Sequence, residues 1–524
     1  MSCRANSSAC SSIRSATTWS RSARSNGAIS SIASAPWRAA PIAALTSSAS
    51  AADTTPTFSP VAGLVTSSSC ITAPNDPIGL AGSLSPIRPA ATIPGVNSAP
   101  LAASYREVAL WQAQVSLPSL DVPTLPAEAD AVVVGGGYCG LAAAWTLAQR
   151  GRQVVLVEAK ALGFGASTRN GGMVIPELKA GPAKLEQQYG SLGRRMFQAV
   201  GEAFDFVESL ISEHSIACDY QRTGQLYLAH HPRAVAALRA YAEEYAAAGE
   251  AVELIDGSDL GNEIGSTVFS AAAVFERTGA VHPARLHQGL VSLASRAGVH
   301  LHDFTEVTRL ERPKSGGFRV VTRRGAIAAR DVIVAANAYI DGLIPRLARR
   351  VLPIGSYVIA TRPLDPGLAD AVSPRRRMFV DTKNFLFYWR LSPDDRMVFG
   401  GRKSLGSTTV AEARDYLYRS MVRIHPQLSG LEIEYAWGGD VAMTLDRLPH
   451  VGYLDKVLYA TGCNGSGVAL NTWMGARVGG MVCGDDPPPF AELRHRAIPA
   501  SGLRRCYLPF VSAWFRFEDR FGLG

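Results

Sequence analysis

Gly135, Gly137 and Gly140 form a GxGxxG string, and Glu158 stands 23 residues beyond the first of them. The string alone is common. Here the apolar run Ala131–Val134 leads into it, an Ala- and Leu-rich stretch Leu141–Gln149 leaves it, and a second apolar run Val154–Val157 ends in Glu158. That is a β-α-β unit, and each glycine has a physical task in it. Gly135 permits the tight turn, Gly137 lets the backbone approach a pyrophosphate where a Cβ would intrude, and Gly140 allows close helix–strand packing. The helix N-terminus aims free N–H groups and a partial positive charge at the phosphates. Glu158 suits the ribose hydroxyls of an adenosine half and repels a 2′-phosphate, so FAD or NAD is expected rather than NADP.

Two further glycine-rich segments choose between these dinucleotides. GASTRNGG, from Gly165 to Gly172, lies where a nicotinamide dehydrogenase would continue its β-α-β winding. A polar loop there can wrap the second half of a longer cofactor, with Arg169 and Asn170 as donors and Gly171-Gly172 allowing backbone contact. GCNGSG, from Gly462 to Gly467, follows the apolar run Val457–Ala460 and opens a helix expected over 468–483. Its N-terminus can stabilise negative charge on a reduced isoalloxazine ring.

The elements between these motifs alternate. Met196, Val200, Phe204, Val207 and Ile211 recur at helical spacing and predict a core-facing helix. A strand is expected over 225–229, a helix from His282-Pro283 to Gly298, and strands over 299–301, 318–322 and 332–335, with a turn at Arg324-Gly325. Residues 356–400 lose the alternation. Segments 356–360, 385–390 and 396–399 are short, aromatic and β-branched, as in an antiparallel sheet, and a helix returns over 411–424. The fold class is α/β: a Rossmann-type FAD-binding domain assembled from separated segments, with an inserted mixed or antiparallel-sheet substrate domain. The expected boundaries are 126–212, 282–355 and 440–485 for the first, 213–281 and 356–439 for the second, and a C-terminal extension over 486–524. The cleft between such domains is the natural ligand site.

Residues 1–100 stand apart. They are rich in Ser and Ala and hold six Arg and two Asp, a net +4 that is half of the chain's +8. The segment reads as a disordered tail, as sequence translated upstream of the true start, or as a transit peptide, and is set aside from the fold. The remaining charge is a mild surplus, and Arg194-Arg195, Arg349-Arg350 and Arg375-Arg376-Arg377 lack interleaved aromatics, so no nucleic-acid partner is expected. Eight cysteines form no CxxC pair and no zinc spacing, so no metal is expected. Uninterrupted apolar stretches long enough for a membrane span are missing. A cytoplasmic protein is expected, or an organelle-matrix one if the tail is a transit peptide.

Taken together the motifs resemble the D-amino-acid-oxidase-like FAD-dependent oxidoreductases, the group with the sarcosine and glycine oxidases, and within it the gamma-glutamylputrescine oxidoreductase-like branch. The resemblance runs from about Tyr105 to Cys483. It rests on DAVVVGGGYCGLAAAWTLAQRG, VVLVEA, GFGASTRNGG, GAVHPARL, DVIVAANAY, VFGGR, YAWGG with TLDRLPHVG, and YATGCNGSGVAL. It implies FAD bound in extended form with substrate under the inserted sheet. Gly135, Gly137, Gly140 and Glu158 would hold the adenosine and pyrophosphate. Ser167, Arg169, Asn170 and Gly172 would line the flavin side, Val307 would offer its backbone to adenine, and Gly462, Gly465, Gly467 and Val468 would approach the pyrimidine end.

There are departures from the family pattern. Ser466 stands where members often have His. Residues 437–445 contain no Cys of the kind that tethers FAD in sarcosine oxidases, so the cofactor is expected to be non-covalent. The lysine used there for oxygen activation has no counterpart in 397–399, and Lys403 lies a few residues on. Tyr357, Tyr388, Trp389 and Arg402 fall where the family's substrate-facing sheet would be, as packing or as contact; an aromatic cage would suit an amine and an Arg a carboxylate. The resemblance implies oxidation of a small amine or amino acid, with oxygen or another acceptor taking the electrons. A flavin-binding protein with a non-oxidase role and an FAD dehydrogenase with a different acceptor are the alternatives.

Overall fold

The computed structural model describes residues 98–116 and 124–523. The Ser/Ala-rich residues 1–97 lie outside the described residues. The last three residues assigned to that tail belong to the fold: Ala99 is buried, its N–H donates to Asp415 Oδ1, and the Pro100 carbonyl accepts from Ile433 N–H.

Two large sheets organise the chain. The first has a parallel core in the order His300–His302, Val154–Val157, Glu128–Val134, Gly325–Val334, Val457–Thr461. Along Glu128–Val134, Ala131 and Val133 enter one core and Val132 and Val134 the other, so both faces are covered, as its unbroken apolar run predicts. Helices Tyr138–Gln149, Ser191–Glu213, Pro283–Arg296 and Gly467–Val482 supply side chains to the first core. The helix of the GxGxxG unit and the last of these cross closely. A Cβ on Gly475 would lie 2.1 Å from the Cys139 carbonyl oxygen, and one on Gly479 would lie 2.7 Å from that of Ala143. Strands Val307–Glu311, Phe318–Thr322 and the first half of Gly325–Val334 form an antiparallel layer on the other face.

The second sheet is nine-stranded and mixed, in the order Leu101–Arg106, Ile433–Met443, Leu352–Pro363, Arg396–Gly401, Tyr388–Leu391, Met378–Asp381, Gln225–Leu228, Ala271–Phe275, Val252–Asp256. Its edge strand Leu101–Arg106 comes from the start of the described chain, ahead of both expected domains. Cross-strand partners share a face. One row therefore runs Val358, Gly400, Tyr388, Val380, Tyr227, Ala273, and the next Ala360, Val398, Arg390, Met378, Gln225, Phe275. The opposite face, with Ile359, Phe399, Trp389, Phe379 and Leu226, packs on helix Val410–Ile424 to form a separate core.

The expected helices and strands occur, with ends shifted by a few residues. Pattern reading did not supply helix Ala234–Ala247, or helix Arg504–Phe521 in the C-terminal extension. That extension is tied to the first sheet by His495, which stacks on His450 with ring centroids 4.0 Å apart and shares a hydrogen bond with the Tyr459 hydroxyl.

Candidate active site

Gly135 and Gly140 occupy the tight turn and the close helix–strand crossing expected of them. Gly135 has φ +112°, and a Cβ there would lie 2.8 Å from the Ala335 carbonyl oxygen. A Cβ on Gly140 would overlap the Gly135 carbonyl oxygen at 1.8 Å, so helix and strand meet only through glycine. Gly137 is the N-cap of helix Tyr138–Gln149, and a Cβ there would sit 2.9 Å from Ser167 Oγ. That hydroxyl accepts from Tyr138 N–H at 3.0 Å, which brings the GASTRNGG loop onto the helix N-terminus. Glu158 Oε2 accepts from Gly136 N–H at 2.8 Å and Oε1 from Lys160 N–H at 3.0 Å. Burial pushes the Glu158 carboxyl above the usual range, and those N–H groups oppose the rise. His287 is buried and donates from Nε2 to the Gly136 carbonyl at 2.7 Å; burial drives its pKa down to about 4, so the ring is neutral. Val307 opens its strand two residues after Thr305, whose N–H donates to the Glu158 carbonyl.

The GASTRNGG loop is positioned by residues far away in sequence. Arg390, 4% exposed, donates from Nε to Gly171 O at 2.8 Å, from Nη2 to Val281 O at 2.6 Å and from Nη1 to Leu391 O at 3.2 Å. It lies over the Trp111 ring, and burial lowers its pKa to about 10. The indole N–H groups of Trp111 and Trp437 donate to Asn170 O and Arg169 O, each at 2.8 Å. The side chains of Arg169 and Asn170 have partners within the protein. The Arg169 guanidinium is taken up by Phe164 O and Gly438 O, and the Asn170 carboxamide by Ala166 O, Ser167 O and Gly172 N–H. Their side chains shape the loop, which leaves its backbone, Ser167 and Gly172 to meet a ligand. Gly172 has φ +72°, and a Cβ would lie 2.3 Å from Val281 O.

At the second glycine turn, Asn337 Oδ1 accepts from Gly462 N–H at 3.2 Å, and the Asn464 side chain ties the turn to Thr444 and to Gly462 O. Gly462 and Gly465 have φ of +83° and +101°, and Gly467 and Val468 begin the helix. Ser466 is the helix N-cap, is 4% exposed, and its Oγ has no hydrogen-bond partner. A buried, unmet hydroxyl at a helix N-terminus wants a polar ligand. With the glycine cradle at Gly137, this donor set fits an extended dinucleotide: phosphates at the first helix N-terminus and an electron-rich ring edge at the second.

Above this groove is the sheet face that carries Tyr388. Its ring lies against Gly171 and Gly400, where a Cβ would come within 2.9 Å and 2.2 Å, and its hydroxyl meets Ser356 Oγ at 3.2 Å. Burial raises the Tyr388 pKa, and the Arg402 charge opposes it. Arg402 just follows the strand on the same side, and burial lowers its pKa. Tyr357 and Lys403 fall elsewhere. One residue out of phase with Tyr388, Tyr357 packs on the opposite core and donates to the Thr408 carbonyl. Lys403 acts on Glu412 at the start of helix Val410–Ile424. Trp389 is core, stacked on Phe269 and Phe379. His282, kept neutral by burial with its pKa down to about 4, caps helix Pro283–Arg296 and shares a hydrogen bond with Gln114.

A sequence profile described as DAO, FAD dependent oxidoreductase, matches residues 130–480. The chain is 32% identical over 407 residues to gamma-glutamylputrescine oxidoreductase of Escherichia coli K12, across 75% of this chain and 93% of that protein. Among solved structures, glycine oxidase from Geobacillus kaustophilus superposes with a TM-score of 0.62 at 22% identity, covering 71% of this chain and 100% of that one. L-proline dehydrogenase from P. horikoshii superposes with a TM-score of 0.59 at 20% identity, covering 70% and 96%. At those identities the likeness shows the fold. Among the described residues no group of His, Cys, Asp and Glu could hold a metal ion, and no helix is long and apolar enough to cross a membrane.

Proposed function

The chain belongs to the DAO family of FAD-dependent oxidoreductases, and from that premise we propose that it oxidises the C–N bond of a small amine that carries a further polar group, gamma-glutamylputrescine or a putrescine-like relative. The observation that carries this reading is the 32% identity along nearly the whole of gamma-glutamylputrescine oxidoreductase. The face bearing Tyr388 and Arg402, held against the GASTRNGG loop, supports it. Oxygen or another acceptor then takes the electrons. A cytoplasmic location belongs to the same proposal, supported by five free cysteines among the described residues.

FAD, when bound, supplies the two-electron acceptor, so the protein need not supply a nucleophile. Gly135, Gly137, Gly140 and Glu158 would hold its adenosine and pyrophosphate, Val307 its adenine, and Ser167, Gly171 and Gly172 its flavin half. The N-terminus of helix Gly467–Val482, with Ser466, would stabilise negative charge at the pyrimidine edge. A C–H bond next to nitrogen gives up two electrons only when the nitrogen lone pair is free, so the amine must react neutral. The aromatic wall of part-buried Tyr388 over buried Trp111 and Trp437 favours the neutral amine and limits water. Tyr388 orients the substrate and Arg402 biases the local potential. Neutral His282 is committed to Gln114 and to the helix it caps, and no side chain is assigned as an obligatory base.

The test is anaerobic reduction in a stopped-flow instrument. Tyr388→Phe and Arg402→Met should each slow reduction by roughly 10- to 1,000-fold, as for lost orientation and electrostatics. A loss of about 10⁴-fold or more with FAD and substrate still bound would identify an essential group and overturn this mechanism.

A further inference from the structure

Two strands along the sheet from Tyr388, on the same face, is a cavity of about 30 Å³ that opens to solvent. Its floor is Tyr227, Gln225 and Phe275, and its roof is Tyr241 and Tyr245 from helix Ala234–Ala247. Glu177 closes one side, three residues beyond the short strand Met173–Val174 that follows the GASTRNGG loop. The register Tyr388↔Val380↔Tyr227 places it about 10 Å from Tyr388, two strand spacings away. Electrostatics join the two places: Arg447 acts on Tyr227 and also on Arg402, which acts on Tyr388.

The lining has a definite chemistry. Four aromatic rings converge, with Tyr241 and Tyr245 4.6 Å apart between centroids and Tyr245 and Phe275 5.3 Å apart. Gln225 is 6% exposed, and its Oε1 is buried without any hydrogen-bond partner. An acceptor left unmet inside an aromatic box calls for a ligand that brings N–H donors. Glu177 adds negative charge, shared with Lys179 at 3.4 Å and with the nearby Arg447 guanidinium. Arg277 and Glu250 at the rim satisfy each other at 3.1 Å. Aromatic faces with a carboxylate and a free carbonyl oxygen are the surroundings that bind an ammonium group.

We infer that this cavity is a distal subsite that takes a second, cationic nitrogen of the substrate while the amine to be oxidised lies beneath Tyr388 and Arg402. This rests on the proposed amine-oxidising function and narrows it. The substrate class becomes amines with an ammonium group at the far end of a chain about 10 Å long, beyond the reach of a glycine-sized molecule.

Binding to dithionite-reduced holoenzyme under anaerobic conditions tests this without turnover, so the result stands whether or not the amine is oxidised. The probes are 1,8-diaminooctane and octylamine, followed by calorimetry. The diamine should bind about 10- to 100-fold more tightly than the monoamine. Glu177→Gln and Gln225→Leu should each shrink that ratio toward one, and Tyr241→Phe should keep most of it because the ring remains. Equal affinities in the wild-type protein, or a diamine preference that survives both Glu177→Gln and Gln225→Leu, would overturn the assignment.

Discussion

Replacing Arg390 by Met separates the stability of the fold from the positioning of its cofactor loop. The substitution removes the donors to Gly171 O and Val281 O, both buried, and one to Leu391 O. Leaving two buried carbonyls unmet costs about 2–6 kcal/mol. The wild-type arginine carries an opposing cost. Burial lowers its pKa from 12.5 to about 10, which corresponds to about 3 kcal/mol for keeping the charge inside. The two nearly cancel, so net stability should change by no more than about 3 kcal/mol. The loop has no such compensation. Gly171 and Gly172 lose their fixed distance from the sheet, and FAD must order them on binding. FAD affinity should therefore fall about 10- to 100-fold, equivalent to about 1.4–2.8 kcal/mol. The assay is fluorescence titration of apoprotein with FAD, alongside thermal unfolding of the same apoprotein. Arg390→Lys, with one donor group that cannot span all three carbonyls, should fall between. An Arg390→Met protein that binds FAD as tightly as wild type would refute the staple.

Gly137→Val should abolish FAD binding, because its side chain enters the space against Ser167 Oγ where the phosphates approach; a variant that still purifies yellow would reject the motif assignment. Acid or heat precipitation should release all the flavin as FAD, and colour left in the pellet would show a covalent bond. The buried rings of His287, His302 and His425 have pKa values lowered to about 4, so they favour the fold while neutral. That contribution is whole above about pH 6.5 and drains away as pH falls toward 4. FAD release and loss of thermal stability should therefore run together over this window, because His287 holds the Gly136 carbonyl; stability that is flat down to pH 4 would contradict it. A chain starting at Ser98 should fold and bind FAD, and one starting at Glu107, without the Leu101–Arg106 edge strand and Ala99, should be clearly less stable by thermal unfolding.

What the sequence made legible was local chemistry. The GxGxxG unit could be read because strand, turn, helix and the next strand are contiguous, and Gly135 and Gly140 answer to neighbours within that unit or at the end of the strand beside it. Tyr388 and Tyr357 could not be told apart in this way. Both are tyrosines on strands of one sheet, and only the pairing of Tyr388 with Gly400 and of Tyr357 with Gly401 puts them on opposite faces. One residue of register reverses the answer. Arg169 and Asn170 read as cofactor donors by residue type alone; in the fold Asn170 turns back onto its own loop, and Arg169 reaches both Phe164 O in that loop and the distant Gly438 O. Arg390 did leave a signal, a lone charge in the apolar run FLFYWRL, which is the mark of a buried group with distant partners. The register that sets Tyr227 and Gln225 on the Tyr388 face had no signal, since their strand and helix Ala234–Ala247 meet only in the fold.

The central claim is tested most directly by mixing the FAD-loaded protein anaerobically with gamma-glutamylputrescine and following the flavin absorbance across pH. The oxidised band should bleach in a single turnover. The rate should rise with pH until the bound amine is deprotonated, with no inflection from His282, which stays neutral down to about pH 4. A flavin that remains oxidised at every pH, with this amine and with putrescine, spermidine, sarcosine and glycine in turn, would contradict the account.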